Sequence, residues 1–180
     1  MKTKRVIVCS YDKAWKDNFN IIREELAAAL GDLALRIEHV GSTSVPGLSA
    51  KPIIDIDVVI RDYSVFSEVV EALEGIGYYH EGDLGISGRE AFGYDGKEHL
   101  QKHHLYVCPE NSLELKRHIS FRDYLRSHPA EAAEYGRIKE EGALLYPEDI
   151  DQYIEYKSSF IQEIYSRLSM EEKHRKRYIL

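Results

Sequence analysis

The chain has 180 residues, 43% of them hydrophobic and 31% charged, which is enough to bury a core and too apolar for a disordered segment. No apolar run approaches the roughly 20 residues of a membrane span, and the basic start at Lys2, Lys4 and Arg5 is followed only by Val6, Ile7, Val8 and Cys9, so no secretory signal is read and a cytoplasmic protein is expected. The formal charge of −7 argues against a sequence-independent nucleic-acid binder, which needs a basic footprint.

In chain order, residues 5–9 read as a short strand. From Trp15 the apolar residues Trp15, Phe19, Ile22, Leu26 and Leu30 recur at helical spacing, with Gly31 as the stop. Residues 35–40 form a second strand candidate, and 41–52, rich in Gly, Ser and Pro, is irregular. Residues 53–60 are a strong strand by length and β-branching. A helix follows over about 64–74, ended by Gly75 or Gly77. The five glycines at 82, 85, 88, 93 and 96 predict loops with a short strand near Ala91. Residues 104–108 are another strand. Helices are predicted over about 112–126, 129–145 and 151–168, with Pro129 at a helix start. Cys9 and Cys108 are too few for a disulfide framework and read as buried thiols. The basic run at 173–177 reads as a solvated tail. The organisation is α+β: a core over 1–110, helices over 111–170 packed on it, and a tail over 171–180.

The most informative strand is Ile53-Ile54-Asp55-Ile56-Asp57-Val58-Val59-Ile60. Alternation puts Asp55 and Asp57 on one face, about 7 Å apart along the strand. Two like charges amid apolar neighbours are costly unless a cation sits between them, and Mg²⁺ (or Mn²⁺) accepts a few carboxylates together with phosphate oxygens. Asp is otherwise depleted in strands, which weighs against a plain surface strand. Upstream, Gly41-Ser42-Thr43-Ser44 offers the small residues and free amides of a phosphate-binding turn, and Lys51 offers a point charge. Together these describe one end of a phosphoryl- or nucleotidyl-transfer site.

These residues resemble the GrpB family of bacterial proteins, within the nucleotidyltransferase superfamily. The matching stretches are Tyr11-Asp12-Lys13-Ala14-Trp15, the run from Ile37 through Gly41-Ser42-Thr43-Ser44 to Leu48, the run from Ala50 to Asp57, His104-Leu105-Tyr106-Val107, Phe121-Arg122-Asp123-Tyr124-Leu125-Arg126 and His128-Pro129. The resemblance covers nearly the whole chain. It implies a nucleotidyltransferase-like mixed sheet flanked by helices, and a relation to a domain fused behind dephospho-CoA kinase in some bacteria. Active nucleotidyltransferases usually carry a third carboxylate on a later strand. Here that strand reads His103-His104-Leu105-Tyr106-Val107, so His104 or Tyr106 faces the site instead.

The reading is an Mg²⁺-dependent nucleotidyltransferase acting on a nucleoside triphosphate and a small-molecule hydroxyl. Asp55 and Asp57 are its metal ligands and, with His104, its catalytic residues. Gly41, Ser42, Thr43, Lys51, Arg89 and Arg122 are its phosphate-binding candidates. Arg122 and Arg126 share a helix face that suits an anion, unless Asp123 or a nearby Glu neutralises it. His39 is read equally as a phosphate contact or a strand-end hydrogen-bonding residue. His99, His103 and His104 lack zinc-ligand spacing and read as partly solvated. The alternative reading is an inactive nucleotide- or coenzyme-binding module, with a coenzyme A pathway association.

Overall fold

The computed structural model describes residues 5–177, with side chains described through residue 169. A five-stranded sheet of order β1-β2-β5-β4-β3 is built from β1 (Arg36–Val40), β2 (Ile54–Ile60), β3 (Tyr78–Gly82), β4 (Glu90–Tyr94) and β5 (His103–Pro109). Its inner pair β2–β5 is parallel and the other pairings are antiparallel, so the sheet is mixed.

Period-two alternation gives each sheet face its own chemistry. Ile54, Ile56, Val58 and Ile60 of β2, with Leu105 and Val107 of β5, pack beneath helices α1 (Ala14–Leu30) and α2 (Phe66–Glu74). The α1 residues spaced for one face, Trp15, Phe19, Ile22, Leu26 and Leu30, are all buried there. Each such side chain contributes about 1.5–3 kcal/mol when fully buried. The opposite face carries Asp55, Asp57 and Val59. α3 (Leu113–Ser127) packs on it through Leu115 and Ile119, and α4 (Pro129–Leu145) and α5 (Ile150–Arg177) pack against α3 and each other. These helices share a second core, in which Tyr124, Leu125, Tyr135, Phe160 and Ile164 enclose Val45 and Leu48.

Several sequence expectations are corrected. Residues 5–9 form no sheet strand: Cys9 bridges only Ala50, and Val6 N donates to Pro147 O at 2.8 Å, so two different segments anchor the stretch. Cys9 is half-buried, and only Cys108 is a buried thiol. The strand β3 was not read from the sequence because Tyr79, His80 and Glu81 are all exposed and show no alternation. The last helix continues in backbone through Arg177, past the predicted end at 168, and the side chains of the basic run lie outside the described residues. Among the described residues no helix is long and apolar enough to cross a membrane.

Candidate active site

β2 and β5 are in register with Asp55 opposite His104 and Asp57 opposite Tyr106. All four residues therefore share the face beneath the C-terminal helices. His104 Nδ1 donates to Asp55 Oδ1 at 2.9 Å, and both side chains keep solvent access, at 43% and 30% exposed. Asp57 is fully buried. It accepts from His118 Nδ1 of α3 at 2.7 Å through Oδ2, while its Oδ1 has no partner. Burial pushes the Asp57 carboxyl above the usual carboxylate range, against the pull of His118. Burial would push His118 down, but its hydrogen bond and charge contact with Asp57 hold it above the ordinary histidine value.

The glycine-serine turn lies directly beside this pair. Gly41 has φ +70°, and a Cβ placed there would fall 2.2 Å from Asp55 Oδ2. Only glycine gives both the conformation and the room. Ser42–Ser44 then make one 3₁₀ turn. Ser44 Oγ donates to Gly41 O at 2.5 Å, and Thr43 Oγ1 lies 2.9 Å from His39 Nε2 and donates to Ile53 O. The Thr43 and Ser44 side chains thus face inward, and that stretch offers a ligand its backbone. Just past the turn, Val45 and Leu48 pack in one core with Tyr135 of α4.

His39 takes the structural role. Its ring stacks on Phe19 with centroids 4.6 Å apart, and burial lowers its pKa to about 4, so it supports the turn as a neutral imidazole. His103 is buried rather than partly solvated, accepting from Tyr78 OH and donating to Gln101 O. His99 is exposed and faces Glu25, so the three histidines do not converge.

The two α3 arginines brace the site from outside. Arg122 donates to Glu38 at 2.7 Å, to Asp123 at 2.8 Å and to His39 O at 3.1 Å, and Arg126 reaches Ser44 O with both Nε and Nη2. Glu38 stands opposite Asp57 in the β1–β2 register, but Arg36 and Arg122 engage it. Arg89 lies with its guanidinium carbon 4.3 Å from the Tyr106 ring centre, and its buried Nε has no partner. The α3 N-cap Ser112 accepts from Leu115 N and donates to Gly88 O at 2.7 Å, which fixes the segment carrying Arg89. Lys51 is half-buried, and burial lowers its pKa against the attraction of Asp55.

A cleft of about 260 Å³ between α3 and α5 opens on His118, with Arg117, Ile154, Ile161 and Tyr165 among its walls. A larger groove of about 850 Å³, lined by Leu113, Tyr124, His128 and Leu168, includes neither aspartate. Sequence reasoning missed His118. A histidine within a helix gives no local sign that it meets a strand far away in the chain.

Comparison with known proteins identifies the family and the fold. The chain is 35% identical over 159 residues to the UPF0157 protein YqkA of Bacillus subtilis, covering 88% of this chain and 46% of that protein. It is 27% identical over 179 residues to a dephospho-CoA kinase of Mycolicibacterium paratuberculosis, spanning 44% of that protein's length. The crystal structure of conserved protein GrpB from Enterococcus faecalis superposes with a TM-score of 0.78 at 36% identity, over 97% of this chain and all of that one. The Cid1 poly(U) polymerase bound to MgATP superposes with a TM-score of 0.52 at 11% identity, over 72% of this chain and 42% of that one, a likeness of nucleotidyltransferase fold alone. The pattern of the family described as GrpB protein matches residues 5–167, and the chain belongs to that family.

Proposed function

We propose that the chain is an Mg²⁺-dependent nucleotidyltransferase that moves a nucleoside monophosphate from a nucleoside triphosphate to a small-molecule hydroxyl. The observation that carries this reading is the apposition of the Asp55–Asp57 strand to the Gly41 turn, with no side chain between the carboxylate and the backbone. The residues fit a divalent cation: two carboxylates share a face, and Asp57 Oδ1 is buried without a partner. Asp55 and Asp57 would hold Mg²⁺ or Mn²⁺, which supplies neutralisation of phosphate charge and polarisation of the α-phosphoryl group. Among the described residues no group of three or more His, Cys, Asp or Glu side chains is placed to hold a metal ion, so an ion on these two carboxylates would need its remaining oxygens from phosphate and water.

The chain's own residues do the rest. The backbone of Gly41 and Thr43, with the Ser42 hydroxyl, takes phosphate oxygens. Asp55 holds His104 by Nδ1, leaving Nε2 for the acceptor hydroxyl. The acceptor proton passes to Nε2 as its oxygen bonds to the α-phosphorus. The bond to the bridging oxygen breaks, and its electron pair leaves on pyrophosphate. Arg89 adds positive charge beside Asp57. Arg122, already bound to Glu38 and Asp123, positions β1 rather than taking phosphate itself. The −7 charge favours a small acceptor over a polynucleotide.

A thermal-shift series with ATP, GTP, CTP and UTP, each with and without Mg²⁺, tests the reading, followed by an assay for pyrophosphate. A metal-dependent rise with at least one nucleotide is expected, abolished in Asp57→Asn, with pyrophosphate released when an acceptor is supplied. No shift with any of the four would sink it. One observation favours an inactive binding module instead: β5 sets His104 and Tyr106, not a carboxylate, beside the aspartates. That reading expects the same shift, with nucleotides or coenzyme A precursors, and no pyrophosphate from any acceptor.

A further inference from the structure

Lys139 of α4 is 2% exposed, and its Nζ has no hydrogen-bond partner. Its nearest aromatic support is the Tyr135 ring, 4.5 Å away. Lys157 of α5 lies half-buried over the Tyr153 ring at 5.1 Å. These two ammonium groups repel one another, Lys157 also repels Lys51, and all three are attracted by Asp55. Three basic side chains from three separate parts of the chain are thus within electrostatic reach of Asp55. Glu140 is the other carboxylate near Lys139, and it also accepts from Ser49 Oγ at 2.5 Å.

For folding alone this arrangement is unfavourable. A buried ammonium without an anion loses its hydration and gains only a ring face in return. A methionine in its place would fill the same space without that loss. The mutual repulsion adds to the cost, and burial pushes Lys139 far below the usual lysine range and Lys157 down to about 8. A multiply charged anion entering between the lysines would reverse each of these terms. The helix that carries Lys139 packs on the segment just past the phosphate turn: a Cβ at Gly136 would fall 3.6 Å from Leu48 Cδ1, and Ser49 Oγ donates to Glu140.

We propose that Lys51, Lys139 and Lys157 form a polyphosphate pocket that receives the terminal phosphates of the ligand, on the side of Asp55 facing α4 and α5. It rests on the nucleoside-triphosphate reading for the identity of the natural ligand. The chemistry it recognises is a linear chain of phosphates, with or without a nucleoside. The pocket holds that chain by charge, so it does not need the metal.

Calorimetry with inorganic tripolyphosphate in EDTA, beside orthophosphate and ATP under the same conditions, tests this. Wild type binds tripolyphosphate and ATP more tightly than orthophosphate. Lys139→Met and Lys157→Gln each weaken tripolyphosphate by about tenfold or more, whereas Lys16→Gln, an exposed change of equal charge, leaves it unaltered. Lys139→Met also melts higher than wild type, which separates lost binding from lost folding. No tripolyphosphate binding by wild type, or unchanged binding in both lysine variants, overturns the pocket. If MgATP still stabilises wild type but not Asp57→Asn while the lysine variants bind normally, the pocket falls and the transferase reading stands. If tripolyphosphate binding depends on the lysines while no nucleotide gives an Mg²⁺-dependent shift, the pocket stands and the transferase reading falls.

Discussion

A single methyl group tests the tightest contact of the site. Gly41→Ala forces a side chain into a left-handed conformation and within bonding distance of Asp55 Oδ2. We expect a loss of about 2–4 kcal/mol in urea unfolding, together with loss of the Mg²⁺-dependent nucleotide shift. A change below about 0.5 kcal/mol would mean that the turn relaxes freely and that the apposition is not a constraint. His118 gives a second test at this scale. Its folded pKa is raised, so the stability it contributes is fully present below the unfolded value of 6.5 and is lost as pH rises through the folded value. Asp57, also raised, acts with the same sign, because the folded state holds its proton more tightly than the unfolded chain does. The melting-point difference between wild type and His118→Gln should be largest below pH 6.5 and shrink as pH rises above it. A difference that grows with pH would contradict the pair. Asp55, Asp57 and the Gly41 turn were legible in the sequence because strand alternation and short spacing are local signals. His118 was not, since it meets Asp57 from 61 residues downstream.

At the scale of elements, legibility followed burial pattern. The α1 stripe and the β-branched run of β2 announce themselves because each buries a face with its own period. The polar β3 is defined by its partner β4, and nothing in Tyr79, His80 and Glu81 marks a strand. On α4 the small residues Gly136 and Gly142 sit among the buried ones, where a Cβ at Gly142 would fall 2.9 Å from Tyr156 Cδ1. The contact face of that helix is thus partly made of residues that read as neutral. The burial of Lys139 on the same helix has no sign in the sequence either. The α4–α5 pairing has a pH signature. Lys157 lies over the Tyr153 ring within the electrostatic influence of Lys51, Lys139 and Asp55, and its pKa of about 8 leaves it charged at neutral pH and increasingly neutral above that value. Tripolyphosphate affinity in EDTA should therefore fall between about pH 7 and pH 9 in wild type, and fall less in Lys157→Arg, whose guanidinium stays charged. Parallel curves for the two proteins would remove Lys157 from the binding surface.

Across the whole molecule, the candidate site lies on the seam between two cores. The hydrophobic face of β2 belongs to the core under α1 and α2, while Val45 and Leu48, just past the phosphate turn, belong to the core of α3, α4 and α5. The aspartates are thus held by one core, and the turn together with Lys139 and Lys157 is tied to the other. A ligand spanning Asp55, Ser42 and the lysines joins both cores, and its binding energy must appear as resistance to their separation. Amide hydrogen exchange with MgATP should therefore slow in β2, in the Ser42–Ser44 turn and in the α4 and α5 segments around Lys139 and Lys157. The helix α2 and the outer strand β3 lie in the first core and away from this seam, and their exchange should change least. Protection limited to β2 and the turn would place the ligand on the sheet alone, and the C-terminal helices would then serve as a roof without a share in recognition. Protection that includes α4 and α5, and disappears from them in Lys139→Met while persisting in β2, would assign the two ends of one ligand to the two cores.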